Sequence, residues 1–543
     1  MSDNYIGVGG ELHDSNVAVL DESGNIALAI NEERLTRTKK EGRFPFSGIK
    51  VAKYDEAKVV IGANSIDEAV SQLTDQGFNI ESYLDFLPRL KFYDEELDNI
   101  VSRIGHHESH AASAYYTSGL DESTVVTMDG GSLFEPWCTT IYEGKEGRLS
   151  LIKREPSCFT DYYFFSTALL GFTPNRHEGK LTGLAAHGEV NDELINFFEQ
   201  KRKAKESLAS RIVKWRDFDE KGLTPKLIVD QSEIRTYRKQ FSHISDEDIA
   251  ATVQHYTEEL VLDYIQDNIG DIARKNICLA GGLFGNVKLN QKIKEMGFRN
   301  IFVHPAMGDE GLGLGAVLAY LGKNRQIVPK QLQNVFFGLG YSNDEIRTAL
   351  ESNSLDYSVM DNSAETIAEL LAKGKVVARF DGRMEYGPRA LGNRSILYQT
   401  TDVSVNDWLN KKLRRTEFMP FAPATLDEQA NDYYHDIEGA DYTAQFMTIT
   451  FDCTDRMKKI CPGVVHIDGT ARPQLVTPDG NPSFYEIISE YHKLTGIPSV
   501  INTSFNNHGE PIVCSPQDAI NSFKKGGLDY LAIGDFLVKG DER

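Results

Sequence analysis

Two imidazoles four residues apart open the functional reading of this chain, in His106-His107-Glu108-Ser109-His110-Ala111-Ala112. On a helix, positions i and i+4 share a face, so His106 and His110 project side by side. The strand-like run Val126-Thr127-Met128 ends in Asp129-Gly130-Gly131 and can bring a carboxylate beside them. Two histidines and a carboxylate form a facial set suited to ferrous iron or a similar divalent ion with open positions. Asp309, in the turn Gly308-Asp309-Glu310-Gly311, is a natural fourth ligand because small neighbours permit close approach. Taken singly, each pattern has a commoner explanation, a pair of satisfied helix histidines and an ordinary acidic turn. The zinc-protease motif H-E-x-x-H is excluded, since Ala111 stands where its second histidine belongs.

Other residues offer acid–base and anion chemistry. His13-Asp14, beside a glycine-rich bend, is a candidate general base, although a solvated loop histidine is the more frequent case. No G-x-x-x-x-G-K-[ST] P-loop occurs. Gly281-Gly282, after one strand and before a helix, can still present N–H groups to a phosphate, with Asn286 and the Gly311-Leu312-Gly313-Leu314-Gly315 turn nearby in sequence. Arg379, Arg383, Arg389 and Arg394 are interleaved with glycines and Pro388, which favours a fixed loop over a helix. Guanidinium forks match phosphate and carboxylate oxygens, so this cluster reads as an anion pocket, extended by Lys411, Lys412, Arg414 and Arg415.

The elements that must position these groups begin with a hairpin pair. Ile6–Gly10, Val17–Leu20 and Ile26–Ile30 read as strands around a turn at 21–25, and Thr124–Asp129, Cys138–Tyr142 and Leu149–Ile152 repeat the arrangement. A repeat about a hundred residues apart suggests a duplicated domain, for which the actin/hexokinase-like (ASKHA) α/β architecture is one known solution. Ser245 and Asp248 start a helix with Ile249, Val253, Tyr256 and Leu260 on one stripe, and Ile277–Ala280 is a buried-strand candidate. A small-residue helix is expected to end near Tyr320, and Lys323–Asn334, polar and aperiodic, reads as a linker. Beyond it, helices are expected at Asn343–Leu350 and Ser363–Lys373, and strands at Lys375–Phe380, Ser499–Ile501 and Tyr530–Ile533.

At 543 residues the chain is long enough for two or three domains, and 41% hydrophobic with 25% charged residues is ordinary for a globular protein. A net charge of −22 argues against a broad nucleic-acid footprint. Six cysteines without a C-x-x-C pair point to reduced thiols, and the absence of a signal-like start or a membrane-length apolar run makes a cytoplasmic location the expectation, with no membrane partner.

Together the motifs resemble one family over nearly the full chain. They are Glu32-Glu33-Arg34, Lys39, His106-x3-His110, Asp129-Gly130, Gly179-Lys180-Leu181-x-Gly183-Leu184-Ala185-Ala186-His187-Gly188, Ala280-Gly281-Gly282, Gly387-Pro388-Arg389-Ala390-Leu391-Gly392-x-Arg394-Ser395, Pro420-Phe421-Ala422-Pro423, Ala471-Arg472-Pro473-Gln474 and Asn502-Thr503-Ser504-Phe505-Asn506. They resemble the O-carbamoyltransferases of antibiotic and nodulation-factor biosynthesis. The resemblance implies an ASKHA-like transfer domain (1–328) and a YrdC-like α/β domain (345–543) that condenses carbamoyl phosphate with ATP to carbamoyl-adenylate and pyrophosphate. It implies that His106, His110, Asp129 and Asp309 hold a divalent metal, Fe2+ by preference, with Mg2+ accompanying ATP. It assigns His13 to deprotonation of an acceptor hydroxyl, with Lys39 and Arg389 also catalytic. Lys39, Lys180, Gly282 and Asn286 would contact the nucleotide in the first domain, and Arg383, Arg389, Arg394, Arg415, Ser504 and Asn506 in the second. Met419 and His508 depart from the residues common in relatives.

A small-molecule kinase, a tRNA-modifying threonylcarbamoyl transferase and a nucleotide sensor are the competing readings; none gives the arginine-rich second domain and the metal set a role together. A small-molecule hydroxyl acceptor is favoured over a nucleic acid by the charge, and a homodimer is compatible with the chain.

Overall fold

The structure is a computed structural model that describes residues 4–10, 13–52, 57–63, 97–130, 137–218, 225–414 and 419–540, with only the backbone described at 214–218 and 225–227. Arg415 and Gly131 therefore lie outside the described residues. By contacts the chain forms two units, Met1–Ala27 with Lys40–Gln331, and Leu28–Lys39 with Leu332–Arg543.

The same sheet is built twice between residues 4 and 303. Strands β1 (Asn4–Gly9), β2 (Asn16–Asp21), β3 (Ile26–Asn31), β4 (Lys58–Ile61) and β5 (Ile100–Arg103) lie in the order β3-β2-β1-β4-β5. β1 is antiparallel to β2, with Ile6 opposite Val19, and parallel to β4, with Gly7 opposite Val60. Strands β6 (Glu122–Met128), β7 (Thr139–Lys145) and β8 (Arg148–Glu155) form the second meander. A ribbon, β9 (Val213–Phe218) and β10 (Pro225–Val229), intervenes before β11 (Asn276–Ala280) and β12 (Asn300–Val303). The second sheet runs β8-β7-β6-β11-β12, with β11 parallel to β6 and to β12. An antiparallel meander extended on its first strand by two parallel strands is thus built twice, the duplicated actin/hexokinase-like layout expected from the hairpins. The central strands are buried on both faces and carry apolar runs, as in Val125-Val126 and Ile277-Cys278-Leu279.

Each repeat sends a helix from its last strand into the interior, His106–Ser118 after β5 and Leu312–Arg325 after β12. Both are almost wholly buried, which their small and apolar residues allow. They meet at Gly315, where a Cβ would fall 1.9 Å from the Ser109 carbonyl oxygen. The later helix also lies against β1, where a Cβ on Gly7 would fall 1.8 Å from the Gly313 oxygen. This helix continues past Tyr320 to Arg325, so the polar start of the expected linker is its solvated last turn. The helices Asp161–Leu169, Glu178–Ala185, Asp192–Lys203, Gln231–Gln240 and Asp246–Asn268 enclose a separate core around Phe165, Leu181, Phe198, Phe241 and Val253. Ser245 caps the longest of them by accepting from the Asp248 amide at 3.0 Å.

The second unit is built on one mixed sheet. Its strands are β13 (Ser358–Val359), β14 (Val377–Phe380), β15 (Arg394–Gln399), β16 (Ala422–Leu426), β19 (Gln474–Val476), β20 (Ser499–Ser504), β21 (Tyr530–Ile533) and β22 (Phe536–Lys539), and a small ribbon pairs β17 (Phe451–Asp452) with β18 (Thr470–Ala471). The order is β13-β22-β21-β14-β15-β20-β16-β19. Helices Ser363–Ala372 and Pro482–Thr495 bury Ile367, Leu371, Phe484 and Ile488 against Val377, Leu397 and Val500. Helices Asn343–Ser352 and Pro516–Gly526 begin with complete capping boxes, Ser342 with Glu345 and Ser515 with Asp518.

Residues Leu28–Lys39 group with this unit although the sequence reading keeps them with the first domain. The reason is packing: Leu28, Ile30 and Leu35 join Met384, Ala390, Ile512 and Cys514 in one apolar cluster. Among the described residues no helix is long and apolar enough to cross a membrane.

Candidate functional site

The four expected metal ligands come together. His106 and His110 occupy the first turns of their helix, and Asp129 immediately follows β6. Asp309 opens the short turn Asp309–Gly311 that feeds the Leu312–Arg325 helix. His110 Nε2 lies 3.6 Å from Asp129 Oδ2 and 3.5 Å from Asp309 Oδ1, and His106 Nε2 lies 3.6 Å from the same Asp309 oxygen. One donor atom from each of the four falls within 4.8 Å of all the others.

The three shortest separations, 3.5–3.6 Å, exceed ordinary hydrogen-bonding distance. Donors about 2.1 Å from a common ion lie about 3.0–3.4 Å apart, so these three His–Asp separations are within a few tenths of an ångström of ligating geometry. Both ring nitrogens of His110 and Asp309 Oδ1 are buried without a hydrogen-bond partner, which in a native interior calls for an explanation. The donor set of two imidazoles and two carboxylates therefore fits a divalent metal ion.

The surroundings fix these ligands. Asp129 Oδ1 accepts from the Gly130 amide at 2.6 Å, and Oδ2 accepts from the Gly282 amide. Asn16 donates to the Asp309 carbonyl and accepts from the Gly313 amide. His107 points elsewhere: Nε2 donates to the Trp137 carbonyl at 2.9 Å and Nδ1 meets the Thr127 hydroxyl at 2.7 Å. Burial, reinforced by His106 and His110, holds His107 well below the ordinary histidine range, so it is neutral. Burial disfavours the Asp309 charge, but His13, His106 and His110 outweigh it and hold that carboxyl well below its ordinary value.

His13 stands beside the cluster, with Nδ1 2.9 Å from Asp14 Oδ2 and 3.7 Å from Asp309 Oδ2. Lys40 Nζ approaches the same Asp14 oxygen at 2.5 Å. Burial opposes a charge on His13, but Asp309 and Asp14 prevail and raise its pKa to about 9. Burial also opposes the Asp14 charge, but Lys40 and His13 lower its pKa to about 2. Burial, aided by Asp14, pushes the neighbouring Glu310 up to about 7. Sequence reasoning missed Asn16, Lys40 and Glu310. Only the side-by-side Asp309-Glu310 pair carried any signal for the last.

The site residues occupy equivalent positions of the two repeats. His13 follows the first strand of one meander and Asp129 the first strand of the other. His106 and His110 begin the helix after the last strand of one sheet, and Asp309 precedes the corresponding helix of the other.

The expected nucleotide contacts of this unit are placed as follows. The Gly282 amide is taken by Asp129. Asn286 caps Val287–Glu295 through Oδ1 at 3.2 Å from the Leu289 amide and donates to Gln254 at 2.9 Å. Lys180 is buried on Glu178–Ala185, its ammonium 5.6 Å from the centre of the Phe172 ring. Lys39 is exposed and groups with the second unit.

In the second unit, Arg383, Arg389 and the Ser504–Asn506 segment line the loops around β14, β15 and β20. Arg383 donates to the carbonyls of Gly338 at 2.9 Å and Phe337 at 2.6 Å, and Arg389 is half-buried on the Gly387–Gly392 turn. Ser504 donates to Asn506 Oδ1 at 2.6 Å, and Asn506 Nδ2 donates to the Glu510 carbonyl at 2.8 Å. Arg394 differs from its expected role. It is fully buried, its guanidinium stacks 3.7 Å from the centre of the Phe380 ring, and its forks donate to the carbonyls of Asp381, Gly382, Leu339 and Asn393. It braces the loop from within and is not available to a ligand. Arg379 is likewise committed, to Asp381, Ser483 and the Gly392 carbonyl. Glu385 was not anticipated: one carboxylate oxygen accepts from the amides of Leu391, Asn393 and Arg394 at 2.9, 2.7 and 3.0 Å.

Comparison with known proteins gives this geometry a context. The family model described as carbamoyltransferase N-terminus matches residues 81–318, and that described as carbamoyltransferase C-terminus matches residues 368–540. An uncharacterised protein of Methanocaldococcus jannaschii is 33% identical over 94% of this chain and 95% of its own length. Nodulation protein NolNO of Sinorhizobium fredii is 30% identical over 97% of this chain and 79% of its own. Nodulation protein NolO of Bradyrhizobium diazoefficiens is 33% identical over 80% and 79%. Among solved structures, T. kodakarensis HypF aligns with 61% of this chain and 49% of its own at 14% identity and a TM-score of 0.32. The fold assignment rests on the strand order itself. With both family models matched in order, and relatives at this identity along most of their length, the chain belongs to the carbamoyltransferase family.

Proposed function

We propose that the protein is an O-carbamoyltransferase with two reaction sites, one in each unit. The observation that carries the reading is the buried His106–His110–Asp129–Asp309 cluster beside His13, in a chain whose two halves match the two carbamoyltransferase models.

The first half-reaction belongs to the second unit. Carbamoyl phosphate loses inorganic phosphate to water, and a carbamate oxygen joins the α-phosphorus of ATP with release of pyrophosphate, so the products balance as carbamoyl-adenylate, phosphate and pyrophosphate. Both substrates are polyanions, the ATP accompanied by Mg2+, and Arg383 and Arg389 supply cationic forks with fixed geometry. Ser504 and Asn506 add a hydroxyl and an amide at the end of β20.

The second half-reaction belongs to the first unit. His106, His110, Asp129 and Asp309 would hold a divalent ion, ferrous iron being the best match to the donor set. When bound, such an ion supplies Lewis-acid polarisation of the carbamoyl carbonyl. His13 takes the proton from the acceptor hydroxyl. Asp14 fixes Nδ1 as the donor, which leaves Nε2 as the accepting atom, and Lys40 holds Asp14 in place. The upward pull of Asp309 on His13 is electrostatic and is cancelled once a cation sits on that carboxylate. Lys180 and Asn286 would meet the adenylate in this unit. The acceptor is a small-molecule hydroxyl, as the nodulation relatives and the acidic surface favour.

The test is the product set. Purified protein given ATP and carbamoyl phosphate is expected to release pyrophosphate and phosphate; release of ADP alone would favour a kinase. Labelled carbamoyl phosphate with a panel of hydroxylated acceptors, read by mass spectrometry, then identifies the acceptor class.

A further inference from the structure

The Glu32-Glu33-Arg34 block and Arg37 behind it have no part in either half-reaction described above. Arg34 and Arg37 make hydrogen bonds within the second unit. We propose that Leu28–Lys39 forms a wall of the adenylate-forming site, in which Arg34 and Arg37 are positioning residues for its anion-binding loops. The inference rests on the assignment of adenylate formation to this unit.

The segment meets each of the three loops concerned. Arg34, buried, donates from Nη2 to the Gly387 carbonyl at 3.0 Å, at the root of the turn that carries Arg389. Arg37 donates from Nη1 to the Ile512 carbonyl at 2.6 Å and from Nη2 to the Pro511 carbonyl at 2.8 Å, and its Nε lies 3.4 Å from Asp518. Pro511 adjoins Glu510, whose carbonyl holds Asn506. The Ala29 amide donates at 3.1 Å to the Phe337 carbonyl, the same oxygen that anchors Arg383. Apolar contacts of Leu28, Ile30 and Leu35 with Met384, Ala390, Ile512 and Cys514 seat the segment beneath these bonds.

Two features separate this arrangement from simple packing. A segment that only filled space would be served by apolar side chains, whereas here two arginines satisfy loop carbonyls that sit outside any sheet ladder. Arg37 also adopts a left-handed backbone, φ 62°, which is uncommon for a non-glycine residue and persists where the surroundings over-determine it.

The experiment uses the full chain and pyrophosphate release from ATP and carbamoyl phosphate. Arg37→Gln and Arg34→Gln are expected to raise KM for carbamoyl phosphate by about tenfold or more with kcat changed by less than about threefold, because the loops still form but are no longer held in the binding geometry. Arg37→Lys, which can serve one carbonyl, should recover part of the loss. Unaltered kinetics in both Gln variants would overturn the proposal, as would a fall in kcat that tracks a lowered thermal midpoint with KM unchanged. Should the buried Arg34→Gln protein fail to fold, Arg37→Gln and Arg37→Lys decide the question. If wild-type protein releases no pyrophosphate, the underlying function fails and not the role of the segment.

Discussion

Asn16 reaches across 293 positions of sequence to donate from Nδ2 to the carbonyl oxygen of Asp309 at 2.7 Å. Its Oδ1 accepts from the Gly313 amide at 2.9 Å, so one buried amide holds both ends of the turn that presents the fourth ligand. Asn16→Ala removes the side-chain partner of three buried backbone groups, the Asp14 and Asp309 carbonyls and the Gly313 amide, at a cost of about 1–3 kcal/mol. Metal affinity should fall by about 10–100-fold, as for other groups that orient ligands. Metal content after dialysis and a thermal melt read the two effects separately.

His106→Ala is expected to abolish carbamoyl transfer while pyrophosphate release survives. Chelation of the wild-type protein, followed by removal of the chelator and restoration of Mg2+, should reproduce the pattern. It should also lower the unfolding free energy, by about 2.7 kcal/mol if the ion had been present at a hundred times its dissociation constant. Equal loss of both partial reactions would contradict two separated sites.

Glu385→Gln removes the charge that gathers the Leu391, Asn393 and Arg394 amides, beside the buried guanidinium groups of Arg379 and Arg394. Leaving buried cations less compensated is expensive, and we expect about 3 kcal/mol of destabilisation. Pyrophosphate release should drop with it, and metal content should not. A stable variant with normal kinetics would show that the nest is dispensable.

Asp381 gives an acid-range signature. Arg379, at 2.6 Å, holds its carboxyl below the ordinary value of 3.8 despite burial. A depressed carboxyl stabilises the fold fully above that ordinary value, and the contribution is lost as pH falls towards the folded-state pKa. Asp381→Asn should therefore show a shallower loss of stability below about pH 4 than wild type, in denaturant titrations across pH.

The sequence made the repeats and the metal cluster legible because both rest on local pattern. Alternation and glycine turns mark β1–β3 and β6–β8, and the i, i+4 rule alone puts His106 and His110 on one face. The fates of the arginines were not legible. A guanidinium that binds a phosphate and one that braces four carbonyls, as Arg394 does, look the same in one dimension. Nor could spacing reveal that Arg34 and Arg37 pack with residues several hundred positions later, since a short helix has no periodicity long enough to name its partner. The Lys40–Asp14–His13 chain was hidden for a similar reason: a charge run reads as solvated until a fold shows which lysine turns inward.

The pairwise equivalence of the site residues would make a bound ion a clasp. His106 and His110 belong to one repeat, Asp129 and Asp309 to the other, so neither half holds a complete coordination set. Any rotation of one repeat against the other would stretch the distances among these side chains, and by reciprocity a bound ion would resist that rotation. Substrate entry that opens the cleft would loosen the ion's grip, and a filled site would favour the closed arrangement. Metal occupancy and movement of the repeats would in that sense be a single equilibrium, read out at four side chains.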